Sequence, residues 1–558
     1  MKRTLVGTAL ATLLLAGCDA TINGGTPAST GGAATFPGAQ PGGGGTGSSS
    51  TGGLSPGTGG IASGDPNAVG ERPLTRLTRR EYNNTVRDLL GDTTRPADKF
   101  PDDRDRTFLF RRSGLVATQD AELLRSSAET LAASALSKLD RILTCTPAAD
   151  ETGCATRFID EFGLRAFRRP LTADEKSGLQ ALYQTARGSL GLGFNEAIGV
   201  LLEQMLQSPP FLYHWESPQS ERKLEAGAVK LDAYDLASRL SYFIWGSLPD
   251  QVLFDAAAAG RLETAEEVTA QAQRMFQDEK AQTEVAAFFA ELLELDELAE
   301  VPKDAATYPD YTPAVGSALQ GANTEFVKNV LTQTGGKLET LLTADFSLSN
   351  QALNGMYAGA QRSGLLTQPG FLSATGAADG SHPVKRGKAV YTKMLCGDLP
   401  PPPANVPAAQ PASAGGTTRD RFATHAQNPC ARGCHMLMDP FGFAFEHYDG
   451  IGRYRTLDNG LAVDSASQAS IDGRDQSFAD AFELSRILAT SDTVRSCMTK
   501  QWLRFAFKRA EGDSDAPSLT SIGAAFASHD YLLRDLLPAI AASRSFRYRA
   551  PAQGEVIP

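Results

Sequence analysis

Cys430, Cys434 and His435 open the stretch "CARGCHMLMDPFGFAFEHYDGIGRYR" and carry the three side chains of this chain best suited to holding a cofactor. In a C-x-x-C-H box two thiols join the vinyl groups of a haem and the histidine binds its iron, so all three must lie on one tight segment. Here the spacing is C-x-x-x-C-H. One extra residue can bulge out without moving Cys434 and His435. The same residues suit two other chemistries. Cys430 and Cys434 can close a disulfide, leaving His435 a plain polar side chain. Alternatively they can join a zinc site, although tetrahedral zinc wants a fourth ligand and none is obvious nearby.

Other constellations are weaker. Asp439-Pro440-Phe441-Gly442 reads as a turn, and Glu446, Asp449, Arg453 and Arg455 are polar residues among aromatics. The acidic "DGRDQSFAD" from Asp472 lacks the spacing of a calcium loop. A G-x-S-x-G string occurs only at Gly53–Gly57, inside the Gly/Ser-rich stretch, and there is no H-E-x-x-H and no phosphate loop, so no hydrolase constellation is visible. A formal charge of −11 and a pI near 5.2 argue against a nucleic-acid partner, which would want a basic patch.

Compartment decides between thiol chemistries. "MKRTLVGTALATLLLAGC" has Lys2 and Arg3, a short apolar run and then Leu15-Ala16-Gly17-Cys18. The run is too short to span a bilayer, which needs about 20 residues, and reads as a signal peptide. Its ending resembles a bacterial lipobox, in which Cys18 becomes lipidated and tethers the chain to a membrane. From about residue 21 to 70 the sequence is Gly, Ser, Thr, Pro and Ala, a disordered tether with a reach of roughly 40 Å. The expected location is the cell envelope, outside the cytoplasm. Of seven cysteines, removing Cys18 leaves six, and an even count in an oxidising compartment suggests pairing. Cys145 and Cys154 flank a short polar loop and are expected to bond. Cys396 and Cys497 are then the distant pair, which leaves Cys430 and Cys434.

The elements that must position these residues read as mainly helical. "LTRREYNNTVRDLLG" carries a capping box, Thr78 with Glu81, and stops at Gly91; "PLTADEKSGLQALYQTA" repeats it with Thr172 and Glu175, and Thr264 with Glu267 forms a third. Alternating strands are nearly absent until "RYRTLDNGLAVDSAS", where Asn459-Gly460 marks a hairpin. The expected fold is mainly α and multi-domain, with one small late β-hairpin. Composition shifts divide the chain into a leader (1–18), the linker (19–70), an N-terminal helical domain (71–144), a "FRRPLT" helical domain (145–222) and a central helical domain (223–360). A cytochrome-like domain with the CxxxCH box (361–456) and a C-terminal hairpin and helical domain (457–558) follow.

The ordered run of "LTRREYNNTVRDLLG", "FGLRAFRRPLTADE", "LQSPPFLYHWE", "LASRLSYFIWGSLPD", "RSGLLTQPGFLSATG", "HPVKRGKAVYTKMLCGDLPPPPANVP" and "MDPFGFAFEHYDGIGRYR" resembles the planctomycete cytochrome-C-like multidomain family. These are secreted proteins built from domains of unknown function, and the likeness covers residues 73–549. The resemblance implies a C-x-x-C-H box before D-P-x-G-F, with Cys434 and His435 in register. The family's first cysteine falls where this chain has Ala431, so Cys430 stands one place out. It also implies His425 as the second axial ligand of a haem c. Met394 and Met498 come next, while Met436 and Met438 lie too close to His435 to reach the opposite face. One or two of the polar residues Glu446, Asp449, Arg453 and Arg455 are candidates for the propionates, as are Arg386 and Lys388, with ordinary ion pairing as the alternative. The expected function is electron transfer or haem-dependent oxidation, with a redox partner or a polymer as the other party. Two alternatives stand beside it: a non-catalytic surface module stapled by Cys430 and Cys434, and an accessory protein of polysaccharide breakdown.

Overall fold

A computed structural model describes residues 65–555, apart from 106–107, 215, 217–223, 348–352, 354, 358–360, 401–414, 427–428 and 553–554, and without the side chains of 424–425 and 429–431. The leader, Cys18 and most of the expected tether lie outside the described residues. The last of the tether, 65–70, is docked: Val69 is buried with Ala228 and Tyr548.

Local sequence chemistry accounts for the helix starts. Thr78 Oγ1 accepts from the Glu81 N–H while the Glu81 carboxylate accepts from the Thr78 N–H, opening α1 (Arg79–Leu90), which ends at Gly91 with φ 71°. There follow α2 (Thr118–Leu136), α3 (Glu151–Phe167), α4 (Ala173–Gln184) and α5 (Phe194–Gln207). Thr172 and Glu175 cap α4 in the same two-way manner. These five helices bury one core, with Tyr82, Val86, Leu131, Phe158 and Ile198 among its members.

A second, larger core is shared by most of the remaining helices. They are α6 (Ala233–Trp245), α7 (Gln251–Ala258), α8 (Ala265–Phe276, opened by the Thr264–Glu267 box), α9 (Glu279–Leu292), α10 (Pro313–Thr334) and α11 (Leu338–Thr343). Continuing, α12 (Pro369–Ala374), α13 (Pro383–Ala389), α15 (Pro429–Phe443), α16 (Ala481–Thr490), α17 (Asp492–Phe507), α18 (Ala516–Ser528) and α19 (Leu533–Ala542) also contribute to it, whereas no described side chain of α14 (Thr418–His425) does. Helices far apart in sequence meet: α8 packs on α19 and α11 on α16. At its centre the Trp502 ring stacks on Phe288 at 3.7 Å. Burying such side chains stabilises the fold by roughly 1.5–3 kcal/mol each. Tyr242 of α6 reaches into the first core, so the two cores adjoin.

The chain is mainly α, as the periodicity indicates, but has more β structure than one late hairpin. Strands β1 (Leu224–Glu225) and β2 (Ala228–Lys230) form a hairpin; β3 (Leu457–Asp458) pairs with β4 (Leu461–Ala462) around Asn459-Gly460. A second late hairpin joins β5 (Ser467–Ile471) to β6 (Arg474–Phe478). Its turn is Asp472-Gly473, at φ 53° and 70°, the left-handed pair of a two-residue hairpin turn. The acidic stretch is thus a turn: Asp472 Oδ1 accepts from Ser491 Oγ at 2.8 Å and the Thr493 N–H at 2.9 Å, fixing the start of α17. Finally β7 (Tyr548–Arg549) adds antiparallel to β2.

Among the described residues two disulfides are formed. Cys145 joins Cys154 ahead of and within α3, and Cys396 joins Cys497, tying the segment after α13 to α17 across 101 residues. Among the described residues no helix is long and apolar enough to cross a membrane.

Candidate functional site

Helix α15 carries the Cys-His segment. Pro429 opens it, a position where the missing N–H costs nothing. Positions 430 and 434 stand one helical turn apart, on neighbouring sites of one face, just as a C-x-x-C pair would. The extra residue is absorbed by the helix and needs no bulge. The side chains of Cys430 and His425 lie outside the described residues. Cys434 is a free thiol, half-buried. His435 is buried, and its Nδ1 lies 2.8 Å from Asp439 Oδ2, one turn on. Burial pushes the Asp439 carboxyl up to about 6 against the pull of His435, and its Oδ1 makes no hydrogen bond. With Nδ1 engaged by a carboxylate, a metal bond would have to be made through Nε2, the arrangement that fixes tautomer and ring direction in metal-binding histidines.

Asp439-Pro440-Phe441-Gly442 is therefore not the expected turn. All four continue α15, and Asp439 is the partner of His435. The i, i+4 spacing of His435 and Asp439 was the signal that could have found it. Met436 and Leu437 on the same helix are exposed, at 66% and 45%, whereas Met438 is buried. Met394 and Met498 both sit in the large core.

Around α15 the polar residues are architectural. Arg386 on α13 is fully buried and donates to the carbonyls of Phe445 at 3.0 Å, Tyr448 at 2.8 Å, Leu372 at 3.3 Å and Asp449 at 2.5 Å. Arg455 donates to Glu446 Oε2 at 2.9 Å and to Asp458 at 2.6 Å, and Ser381 also donates to Glu446. Asp449 Oδ1 accepts from the Ile451 and Arg453 N–H groups, holding the turn in "YDGIGRYR". Arg386 and Arg455 are thus occupied by protein atoms. Gly387 and Gly442 let α13 and α15 touch: a Cβ on Gly387 would fall 1.9 Å from the Met438 carbonyl oxygen, and one on Gly442 1.9 Å from that of Pro383. His382 caps α13, accepting from the Lys385 N–H, and packs on Phe422 of α14, so the helix ending at His425 is seated against the one beside α15. Lys388 points elsewhere, onto a cavity of about 810 Å³ beside the Cys396–Cys497 bond, lined also by Arg104, Glu294, Lys393 and Asp398 but by no described residue of α15. Among the described residues no group of three His, Cys, Asp or Glu is placed to hold a metal ion.

A second polar centre went unseen in the sequence because its members are scattered along the chain. Arg80 pairs with Glu284 and, at 2.9 Å, with Glu291; His214 Nε2 lies 3.2 Å and Lys508 Nζ 3.8 Å from Glu81. Burial alone would raise the Glu81 carboxyl, but Lys508, His214 and the Thr78 N–H outweigh it and hold it well below the usual range. Burial, with the Glu81 and Glu291 charges, wins instead at Glu284 and pushes it up to about 7. Glu216 bridges Arg239 and Arg549, the latter at 2.7 Å.

Comparison with known proteins shows what this architecture is. Five family models match in order, each described as a protein of unknown function: DUF1587 over residues 75–137, DUF1595 over 154–216, DUF1592 over 231–358, DUF1588 over 362–458 and DUF1585 over 474–546. A chain of these five modules belongs to the planctomycete cytochrome-C-like multidomain family. Helix α15 lies within the DUF1588 match. No curated protein and no solved structure matches the chain.

Proposed function

We propose that this protein is a lipid-anchored carrier of one c-type haem outside the cytoplasm, working in electron transfer or haem-dependent oxidation. The observation that supports this best is His435, buried on α15 and oriented through Nδ1 by Asp439 at 2.8 Å, next to the free thiol of Cys434. This donor set fits a haem: a thiol to hold it, an imidazole to bind iron, and a carboxylate to set the imidazole. When bound, the haem supplies one-electron chemistry at iron. Cys434 and, one turn earlier, Cys430 would hold it; His435 would bind the iron, and Asp439 is a positioning residue that fixes the ring and strengthens the imidazole as a donor. A Cys430–Cys434 staple draws no support from Cys434, which is unbonded.

The test is expression with a haem-maturation system, extraction with acidified acetone and a pyridine haemochrome spectrum. Retained haem is expected in the parent protein, loss in Cys434→Ser, and an altered iron spectrum in His435→Ala. Asp439→Asn should keep the haem but shift its potential, because a neutral amide makes a weaker partner for the imidazole. Cys430→Ser retaining haem with a one-thioether α-band would mark a single-cysteine attachment. No retained haem in the parent protein overturns the reading. The anchor is tested separately: Cys18→Ser should move the protein from the membrane to the soluble fraction.

A further inference from the structure

A cavity of about 70 Å³ lies where α1, α6 and the end of α17 meet, far along the chain from the Cys-His segment. Its lining includes the basic Arg72, Arg239, Lys508 and His214 together with the acidic Glu81, Glu216 and Asp235. By this measure a water needs about 10–15 Å³, so the space holds several waters or one molecule the size of acetate.

The Arg72 guanidinium is only partly satisfied. Nη1 donates to the Ala506 carbonyl at 3.3 Å, and the guanidinium carbon rests 4.5 Å over the Phe507 ring. Nε and Nη2 are buried and make no hydrogen bond. Buried polar groups are nearly always paired, and an unpaired charged one is costly. The surrounding carboxylates are already engaged. Glu216 is shared by Arg239 and Arg549, Asp515 is held by Arg509 at 2.6 Å, Glu81 serves Thr78, His214 and Lys508, and Asp235 has partners of its own. Glu216 thus faces Arg72, Arg239 and Arg549 together, with Asp235 acting on Arg239 and Asp515 on Arg72, yet none of these carboxylates hydrogen-bonds Nε or Nη2 of Arg72.

We propose that this cavity binds a small free monocarboxylate, held side-on by Nε and Nη2 of Arg72. Those two N–H groups form the edge of the guanidinium whose parallel donors match the two oxygens of one carboxylate. The aromatic side chains of Tyr242, Phe243 and Phe505 on the same lining suit a short alkyl group on the other side. Two unpaired N–H groups on one guanidinium edge are what a single carboxylate satisfies, and the volume limits the acid to a few carbon atoms.

The experiment is thermal unfolding of the whole protein in sodium acetate against sodium chloride and sodium sulfate at equal ionic strength and pH. A saturable rise in midpoint with acetate, absent in chloride and sulfate, is expected. Arg72→Lys, which keeps the charge without the two-pronged edge, should weaken the apparent affinity tenfold or more. Arg72→Met should abolish the response, read as the change in midpoint with acetate relative to the variant's own acetate-free midpoint. An equal rise in sulfate, or an undiminished acetate response in Arg72→Met, overturns the proposal. Saturation transfer from the unmodified protein to the acetate methyl group needs no variant to fold, and its absence overturns the proposal as well.

Discussion

At Glu284 burial and neighbouring carboxylates work against ionisation, and the consequence is measurable. Its folded-state value near 7 lies above the ordinary 4.5, so between those values the folded chain holds a proton that the unfolded chain releases. Stability contributed by that proton is present below about 4.5 and is lost as pH rises to about 7, a fall of about 3 kcal/mol at most. Glu284→Gln should flatten that part of the profile, read from urea midpoints between pH 5 and 8; parallel profiles for variant and parent would contradict it. His382 runs the other way. Burial, Lys385 and Arg386 push it down to about 4, so its stabilising contribution is complete above about 6.5 and is lost as pH falls toward 4. Neither residue could be singled out from sequence. Glu284 sits in the helical run "EVAAFFAEL", and what distinguishes it is Arg80, 204 residues away.

Between elements, the tightest joint is α13 against α15. Gly387→Ala or Gly442→Ala should each cost about 1–3 kcal/mol or more, because the new methyl group meets backbone oxygen, which cannot move aside as a side chain can. Gly433→Ala is the control: it lies on the exposed side of α15 with nothing within 4 Å, and should gain about 0.5–1 kcal/mol from helix propensity. Chemical denaturation of the three variants checks the contrast. Helices were legible in the sequence where a local signal suffices, as at the three capping boxes of Thr78, Thr172 and Thr264. Strands β1, β2 and β7 were not, being two or three residues long with β7 more than three hundred residues from its partner, so "ERKLEAGAVK" reads only as a polar joint. The same holds for the site. Cys434 and His435 announce themselves by type and spacing, whereas Arg72, Glu81, His214 and Lys508 meet only once the cores have formed.

Across the whole molecule the Cys396–Cys497 bond closes a loop of 101 residues. Constraint of the unfolded chain by such a loop stabilises by up to about 4.7 kcal/mol, against about 2.5 kcal/mol for the short Cys145–Cys154 loop. Replacing both members of each pair by alanine should therefore lower the unfolding free energy more for the long loop than for the short one, and equal losses would count against that account. The two margins of the described body also meet. The Ala550 N–H donates to the Gly70 carbonyl at 3.1 Å, Arg544 and Arg509 donate to the carbonyls of Asn67 and Glu71, and β7 closes the sheet begun by β1 and β2. For a polypeptide emerging vectorially, amino end first, this edge stays open until almost the last residues arrive. A nascent chain halted shortly before Tyr548 would thus present unpaired backbone on β2 and leave Glu216 without Arg549, making it a target for proteolysis rather than a shortened working protein.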